Sequence, residues 1–431
     1  MSDDASLAEM REGLVDEVLQ TSGIRDERIA AALRDVPRHL FLPHLPPEEA
    51  YLDDAIVTKR DAEGQPISSS SQPAIMAIML DQLDLAPGQR VLEIGAGTGY
   101  NAALIKHIVG PSGAVVSVDI EADLVDSARE HLASAGYPDV AVVAADGAEG
   151  YPPGAPYDRV IATVGVSDLA PAWLHQTSAD ARIVVPLDVR GSQLAVAFGR
   201  AAPSRAGRAG HWVSRSVAPC GFMRMRGSLA GPERVVVLQP GISVMLPDGL
   251  TLADGQEVDG AALAAFLDGP PAEFATGVRA SSLQVVWALG LWLAAGDRRS
   301  CGVAEERPAE DGGAARLARA PLRSRGMLAT AGIVDSGGIA VLLAADQPDV
   351  RSGQFTLEVT GFGPHGAELG AALAAHVQAW DRAGQPGTAR LHVDAYSRSS
   401  PDEPVPASDA LLIERPATRF VVRHTPVALE A

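Results

Sequence analysis

Three glycines at alternate positions carry the clearest chemical signal in this 431-residue chain. They lie in Val91-Leu-Glu-Ile-Gly-Ala-Gly-Thr-Gly-Tyr100, where an apolar run typical of a strand leads into Gly95, Gly97 and Gly99. A strand, a glycine turn and a helix allow the backbone to approach a nucleotide-like ligand without interference from Cβ atoms. Twenty residues beyond Gly99, the run Val115-Val-Ser-Val-Asp119 ends in a carboxylate that is placed to accept both hydroxyls of a ribose.

The glycine spacing differs from that of a dinucleotide site. Such a site uses G-x-G-x-x-G and holds a diphosphate at the helix N-terminus. Here the spacing is G-x-G-x-G, Glu93 precedes it, and Tyr100 stands where the third dinucleotide glycine would fall. This pattern resembles the first motif of S-adenosylmethionine (SAM) methyltransferases, whose cofactor has no phosphate. The glycines alone also fit a tight turn in some other α/β protein.

Two further apolar runs, Val142-Val-Ala-Ala-Asp146-Gly147 and Tyr157-Asp-Arg-Val-Ile-Ala-Thr163, follow the first two. Four such runs, separated by segments of helical length, predict βαβ units and a parallel, doubly wound α/β sheet. Ligands of these sheets bind beyond the carboxyl ends of the strands. The side chains expected to converge there are Glu93, Asp119, Asp146 and Thr163.

Asp146 and Gly147 admit two interpretations. In SAM methyltransferases an acid at this position holds the amino group of adenine, which would make both residues part of the cofactor site. Asp-Gly is also favourable turn chemistry, so a surface turn is the alternative.

Several segments, taken in order, resemble protein-L-isoaspartate O-methyltransferases. They are residues 23–43, 50–54, 91–100, 146–152 with 155–158, and 182–186, and together they cover about residues 10–225. The resemblance implies a SAM-dependent enzyme in which a carboxylate of an isoaspartyl residue attacks the sulfonium methyl. A carboxylate is already ionised near neutral pH, so this chemistry requires no general base. The methyl ester then collapses to a succinimide, which opens to aspartate or isoaspartate.

The segment before the glycine motif departs from the family pattern. The family usually carries Gly-Gln-Thr-Ile-Ser-x-Pro, with the serine beside the reacting carboxylate, whereas this chain reads Gly64-Gln-Pro-Ile-Ser-Ser-Ser-Ser-Gln-Pro73. Counting back from Pro73 gives Ser71 as the equivalent serine, which we favour, and counting forward gives Ser68. Serine before proline is also ordinary helix capping. The resemblance implies that Gln72 and Thr163 lie on the substrate side.

The stretch Val57-Thr-Lys-Arg-Asp-Ala-Glu63 is longer and more charged than the family pattern predicts. It lies where a peptide should enter, so we expect substrate choice to depend on it.

The length of the chain predicts two or three domains. We expect a methyltransferase domain at 1–230, with a helical part at about 1–80, and a C-terminal α+β accessory or substrate domain at 231–431. In the latter, residues 327–344, 355–360, 391–396 and 420–423 are predicted strands, and 366–382 a helix. It contains His365, His376 and His392, which do not have the spacing of a metal site.

The net charge of −19 argues against a nucleic-acid backbone as partner. The apolar run 283–295 is too short to cross a membrane, and the N-terminus lacks the apolar core of a secretory signal, so we expect a cytoplasmic protein. The oligomeric state stays open.

Three functional hypotheses remain. The first is a carboxyl methyltransferase on isoaspartyl or aspartyl residues of a protein or peptide, either for repair or, like a C-terminally extended branch of the family, for tailoring of ribosomal peptides. The second is a methyltransferase of small molecules or nucleic acid, although residues 162–167 lack the Asn/Asp-Pro-Pro-Tyr element of base amino-methylases. The third is a non-catalytic peptide-binding protein.

Overall fold

Two large β-sheets organise the chain, and the first of them positions the glycine turn. The structure, a computed structural model, describes residues 3–62, 64–201, 211–232, 234–247, 249–306, 317, 319–324, 327–399 and 410–424. The helices of the first half are α1 Asp3–Ser22, α2 Glu27–Asp35, α3 Pro47–Ala50, α4 Pro73–Leu83, α5 Tyr100–Val109, α6 Ala122–Ser134 and α7 Pro171–His175. Its strands are β1 Ile56–Arg60, β2 Pro66–Ser70, β3 Arg90–Ile94, β4 Ala114–Asp119, β5 Ala141–Ala144, β6 Tyr157–Ala162, β7 Thr177–Val189, β8 Ser192–Arg200 and β9 Trp212–Pro219.

The second half of the chain is richer in strands. Its helices are α8 Gly260–Leu267, α9 Gly290–Gly296, which continues a π-helical turn at Gln284–Leu289, and α10 Gly366–Arg382. Its strands are β10 Val235–Gln239, β11 Ile242–Met245, β12 Ala272–Ser281, β13 Ser300–Glu306, β14 Leu322–Ser324, β15 Met327–Asp335, β16 Gly338–Ala344, β17 Gln354–Phe362, β18 Leu391–Ser397, β19 Leu411–Glu414 and β20 Thr418–His424.

The predicted doubly wound sheet is confirmed. Strands β5, β4, β3, β6 and β7 are parallel neighbours in that order, and β8 and β9 continue the sheet antiparallel to β7. In β3, all residues from Val91 to Ile94 are buried, as expected for a strand covered on both faces. One face packs on α1, α2, α4 and α5, and the other forms a core around Trp173 and Phe198. The carboxyl ends of β3, β4 and β6 therefore meet at one edge.

The predicted C-terminal α+β architecture is also confirmed. The second sheet is antiparallel with the order β10-β11-β13-β15-β16-β17-β12, and β14 pairs with β15. Helix α10 has the bounds predicted for it and packs on β12, β16 and β17. Its buried residues, among them Leu369, Leu373, Val377 and Trp380, recur every three or four positions and form one apolar stripe.

The last three strands of the chain return to the first sheet. Strand β18 pairs with β9 through Asp394 and Ala395, β20 pairs with β18, and β19 forms the sheet edge. The backbone N–H of Ala417 donates to Oδ2 of Asp168 at 2.7 Å, which fastens the β19–β20 turn to the loop after β6. The boundary near residue 230 stays a prediction, but β18, β19 and β20 extend the sheet of the first half.

Phe420→Ala should loosen the first sheet although Phe420 lies near the C-terminus. Its ring is 1% exposed and lies 6.4 Å, centroid to centroid, from Phe198 of β8. Removing a buried phenylalanine ring costs about 3–5 kcal/mol. We expect faster amide hydrogen exchange in β7 and β8, measured by mass spectrometry. Leu412→Ala is the control because Leu412, on neighbouring β19, is 40% exposed; equal exchange in the two variants would contradict the shared core.

Candidate active site

The turn after β3 depends on three glycines with positive φ. Gly95, Gly97 and Gly99 have φ values of 99°, 51° and 87°, a region that side chains with a Cβ rarely adopt. At Gly95 a Cβ would also lie 2.7 Å from Oγ1 of Thr163. The turn therefore brings bare backbone to the edge of the sheet and leaves open space above it.

That open space is a cleft of about 880 Å³. Its base is the glycine turn with the ends of β4 and β6. Residues 67–71, here called the serine segment, line one side, and residues 222–226, here called the methionine segment, line another. Of the predicted site residues, the lining includes Ser68, Ser71, Gly95, Gly97, Asp119, Gly147 and Thr163.

Asp119 joins the glycine turn to the end of β4. Its Oδ2 accepts the backbone N–H of Gly97 at 3.0 Å, and its Oδ1 accepts that of Glu121 at 3.1 Å. Each oxygen thus accepts one hydrogen bond from the backbone, and a carboxylate oxygen can accept two. The carboxylate is oriented by the backbone and keeps acceptor capacity for two neighbouring hydroxyls.

Glu93 does not line the cleft but supports it. The side chain is fully buried and accepts hydrogen bonds from Nδ2 of Asn101 at 2.8 Å and from the hydroxyl of Ser117. It thereby ties β3 to β4 and to α5. Burial raises the pKa of Glu93 to about 7, against the opposing effect of the hydrogen bonds from Ser117 and Asn101. Its predicted cofactor contact stays a prediction.

Asp146 and Gly147 lie in different surroundings, and their predicted contacts with the cofactor stay predictions. Oδ1 of Asp146 accepts the N–H of Ala148 at 2.9 Å, as a cap of a short helical turn, and Oδ2 accepts the N–H of Ser228 at 2.8 Å. Gly147 lines the cleft, and a Cβ there would lie 2.4 Å from Cγ2 of Ile94. The absence of a side chain at Gly147 therefore keeps the cleft open, whereas Asp146 fastens the chain next to the methionine segment.

The structure brings both candidate serines to the cleft. Ser68 lies on β2, and its hydroxyl accepts from that of Thr58 at 3.1 Å. Ser71 follows β2 directly, and its carbonyl accepts from Nη2 of Arg38 at 3.3 Å. The choice between the two serines stays open.

The two residues predicted on the substrate side have structural partners. Gln72 is the N-cap residue of α4 and donates from Nε2 to Oδ2 of Asp53 at 2.9 Å; it is not among the lining residues. The hydroxyl of Thr163 donates to the carbonyl of Gly95 at 2.7 Å and so supports the glycine turn. Their substrate contacts stay predictions.

Sequence reasoning missed Arg38. This side chain is fully buried and donates to the carbonyl oxygens of Leu52, Asp54 and Ser71 at 3.0, 3.1 and 3.3 Å. Its guanidinium lies 5.7 Å from the centroid of the Tyr100 ring, and burial lowers its pKa. Arg38 therefore fixes the serine segment against the start of α5. The sequence signal for a buried role was the position of Arg38 within the largely apolar stretch 36–42.

The residues present fit an adenosyl cofactor. The cleft lies beyond the carboxyl ends of the parallel strands, where ligands of such sheets bind, and the glycine turn leaves space that Cβ atoms would occupy. Ile120 presents an exposed apolar side chain beside Asp119, which suits the face of a base. Oδ1 of Asn101 is a buried acceptor without a hydrogen-bond partner in the described chain.

Comparison with known proteins agrees with this geometry. The family model for protein-L-isoaspartate(D-aspartate) O-methyltransferase matches residues 9–213. The protein-L-isoaspartate O-methyltransferase of Methanopyrus kandleri is 40% identical over 192 residues, which are 44% of this chain and 82% of that protein. The chain belongs to the protein-L-isoaspartate O-methyltransferase family. It is therefore a SAM-dependent methyltransferase.

Other members are similar over different lengths. The Hyperthermus butylicus protein of the same name is 35% identical over 239 residues, or 54% of this chain and 94% of that protein. A solved structure of a protein-L-isoaspartate O-methyltransferase covers 89% of this chain and 96% of its own, with 23% identity and a TM-score of 0.47. A putative member from Plasmodium falciparum, in complex with S-adenosyl-L-homocysteine, covers 50% and 98%, with 14% identity and a TM-score of 0.42.

Two features are absent from the described residues. No cluster of three or more His, Cys, Asp or Glu side chains there has the arrangement of a metal site. None of the helices described is both long and apolar enough for a membrane crossing.

Asp119→Ala should weaken SAM binding roughly 10- to 100-fold, because hydrogen bonds to a charged group contribute about 1.5–3 kcal/mol. Isothermal titration calorimetry measures the change directly. Asp126→Ala is the matched control, since Asp126 lies on α6 and its side chain is 71% exposed. An unchanged affinity in Asp119→Ala would contradict the assignment of this carboxylate to the cofactor.

Glu93→Gln should change how stability depends on pH. The folded state holds the Glu93 proton more tightly than the unfolded chain, because the pKa rises from 4.5 to about 7 on folding. The stabilisation by this group is complete below about pH 4.5 and is lost as the pH rises through about 7. The variant lacks this loss, so its stability relative to the wild type should increase over that interval. Urea unfolding at several pH values tests this, and parallel profiles would contradict it.

Proposed function

We propose that the protein transfers a methyl group from SAM to a carboxylate of an aspartyl or isoaspartyl residue in a protein or peptide. The observation that carries this proposal is the absence of a side-chain base: the described residues that line the cleft include no histidine, cysteine or lysine. Their titratable groups are Asp119, Tyr100, Arg224 and Arg226. An amine or hydroxyl nucleophile must lose a proton, whereas a carboxylate is already ionised.

The lining residues leave no substitute for that base. Asp119 is engaged by two backbone N–H groups and is assigned to the cofactor. The pKa of Tyr100 is raised by burial, so its hydroxyl stays protonated. Bound SAM supplies an electrophilic sulfonium methyl. The chain itself would then contribute orientation of the acceptor and exclusion of water, with the hydroxyls of the serine segment available to donate hydrogen bonds to the carboxylate.

A labelled transfer assay tests the proposal. With tritiated SAM and a peptide that contains one isoaspartyl residue, we expect methyl label that is released by mild base, because a carboxyl methyl ester hydrolyses and an N-methyl group does not. Asp119→Ala should lose the transfer in the same assay at low SAM concentration. Base-stable label, or label on nucleic acid, would overturn the proposal.

A second candidate is the tailoring of one aspartate in a constrained ribosomal peptide. It is favoured by the part of the chain that the family match leaves out: the match ends at residue 213, and the second sheet, β10–β17, lies beyond it. The serine segment also carries three more residues than the family pattern. These additions would serve a substrate with a fixed shape rather than damaged proteins in general.

The two candidates differ in their acceptor. Repair predicts label on a linear isoaspartyl peptide and none on its aspartyl counterpart. Tailoring predicts label on an ordinary aspartate of a cyclised precursor and little on the linear form of that sequence. Label on the linear isoaspartyl peptide alone would contradict tailoring.

A further inference from the structure

The hairpin that carries the serine segment is fastened at the cleft by one lysine. Lys59 lies on β1 and is paired in register with Ser68 of β2. Its Nζ lies 2.5 Å from Oε2 of Glu121 and 2.7 Å from Oδ1 of Asp123. Both acids follow β4, whose last residue is the proposed ribose ligand Asp119. Lys59 belongs to the charged stretch 57–63 that departs from the family pattern; residue 63 lies outside the described residues.

Glu121 also binds the opposite side of the cleft. Its Oε1 accepts from Nη1 of Arg226 at 2.6 Å, and Arg226 ends the methionine segment. One carboxylate therefore receives one cation from the hairpin that carries the serine segment and another from the methionine segment. The ion pairs of Glu121 with Lys59 and Arg226 are here called the junction. The backbone N–H of Glu121 donates to Asp119, so the junction lies one short turn from the predicted cofactor site.

The environment of these charges makes the junction stronger than a simple surface pair. The side chains of Lys59, Glu121 and Arg226 are 24%, 26% and 39% exposed. Hydrogen bonds from Lys59 and then from Arg226 lower the pKa of Glu121, despite an opposing effect of burial. Isolated exposed pairs contribute about 0–1 kcal/mol, but networks with good geometry contribute more.

Other contacts of the hairpin do not reach the methionine segment. Thr58 and Ser68 bond to each other within the hairpin, and Arg38 binds the serine segment from the side of α5. Among the described residues, the ion pairs at Glu121 link the hairpin that carries the serine segment to the methionine segment.

We propose that Lys59 is a positioning residue: together with Arg226 it fastens the serine and methionine segments to Glu121 over the cofactor, and SAM leaves only after this junction opens. Lys59 acts through the hairpin and touches no reacting atom. The two ion pairs act in series, because loss of either one frees one side of the cleft. This inference concerns cofactor release and does not depend on which acceptor is methylated.

The experiment measures the dissociation rate of tritiated SAM from the full chain by an excess-SAM chase. In Lys59→Gln we expect roughly five- to tenfold faster release. The series arrangement predicts that Lys59→Gln with Arg226→Gln releases SAM no faster than the faster of the two single variants. Lys59→Arg should restore slow release, since it keeps the charge and the donors.

Salt dependence provides a readout that a purely structural role would not change. Release from the wild type should accelerate as NaCl screens the junction, and release from Lys59→Gln should depend much less on salt. Arg34→Gln is the control, because Arg34 forms a surface ion pair with Glu12. The side chains of Arg34 and Glu12 are 37% and 53% exposed. The proposal would be overturned if Lys59→Gln released SAM at the wild-type rate with the wild-type salt dependence. It would also be overturned if the increases in release rate of the two single variants multiplied in the double variant. If Lys59→Gln does not fold, Lys59→Arg and the wild-type salt series still test it.

Discussion

The contact between the Gly97 backbone and the Asp119 carboxylate is the constraint on which the cleft depends. It joins the turn after β3 to the last residue of the neighbouring parallel strand β4, at the carboxyl ends of both. The hydrogen bond requires that Gly97 adopt a positive φ, which a side chain would make unfavourable. Glu93 supports the same junction from within the sheet by binding Ser117 and Asn101. The cleft-lining contact of Gly97 with Asp119 and the buried contacts of Glu93 thus support the same strand ends.

Most of the first sheet could be predicted from the sequence because its information is local. Each parallel strand is a short continuous apolar run, and glycine spacing identifies the turn. The roles of Gln72 and Thr163 were harder, since their partners, Asp53 and Gly95, are distant in sequence or belong to the backbone. Arg38 was missed for the same reason: its value lies in three carbonyl groups that only the fold brings together.

The cofactor cleft and the second sheet belong to different parts of the chain. The glycine turn and Asp119 belong to the region that the family model matches, whereas the second sheet lies beyond that match. The hairpin β1–β2 lies within the matched region, and the methionine segment lies between that region and the second sheet. Glu121 contacts both. Under the proposal above, a substrate that displaced the hairpin or the methionine segment would therefore change the rate of SAM release as well as its own affinity. The geometry provides a physical route from acceptor to cofactor.

The return of β18–β20 to the first sheet has a consequence for how the protein is made. Ribosomes release the N-terminal half first, and domains commonly fold as soon as they emerge. Here Phe420, Val422 and Val393 belong to the same apolar core as Phe198 and Trp173. That core stays incomplete, with apolar surface open to water, until the final strands leave the exit tunnel. The nascent chain must therefore protect an unfinished sheet edge throughout the synthesis of the roughly 170 residues between β9 and β18.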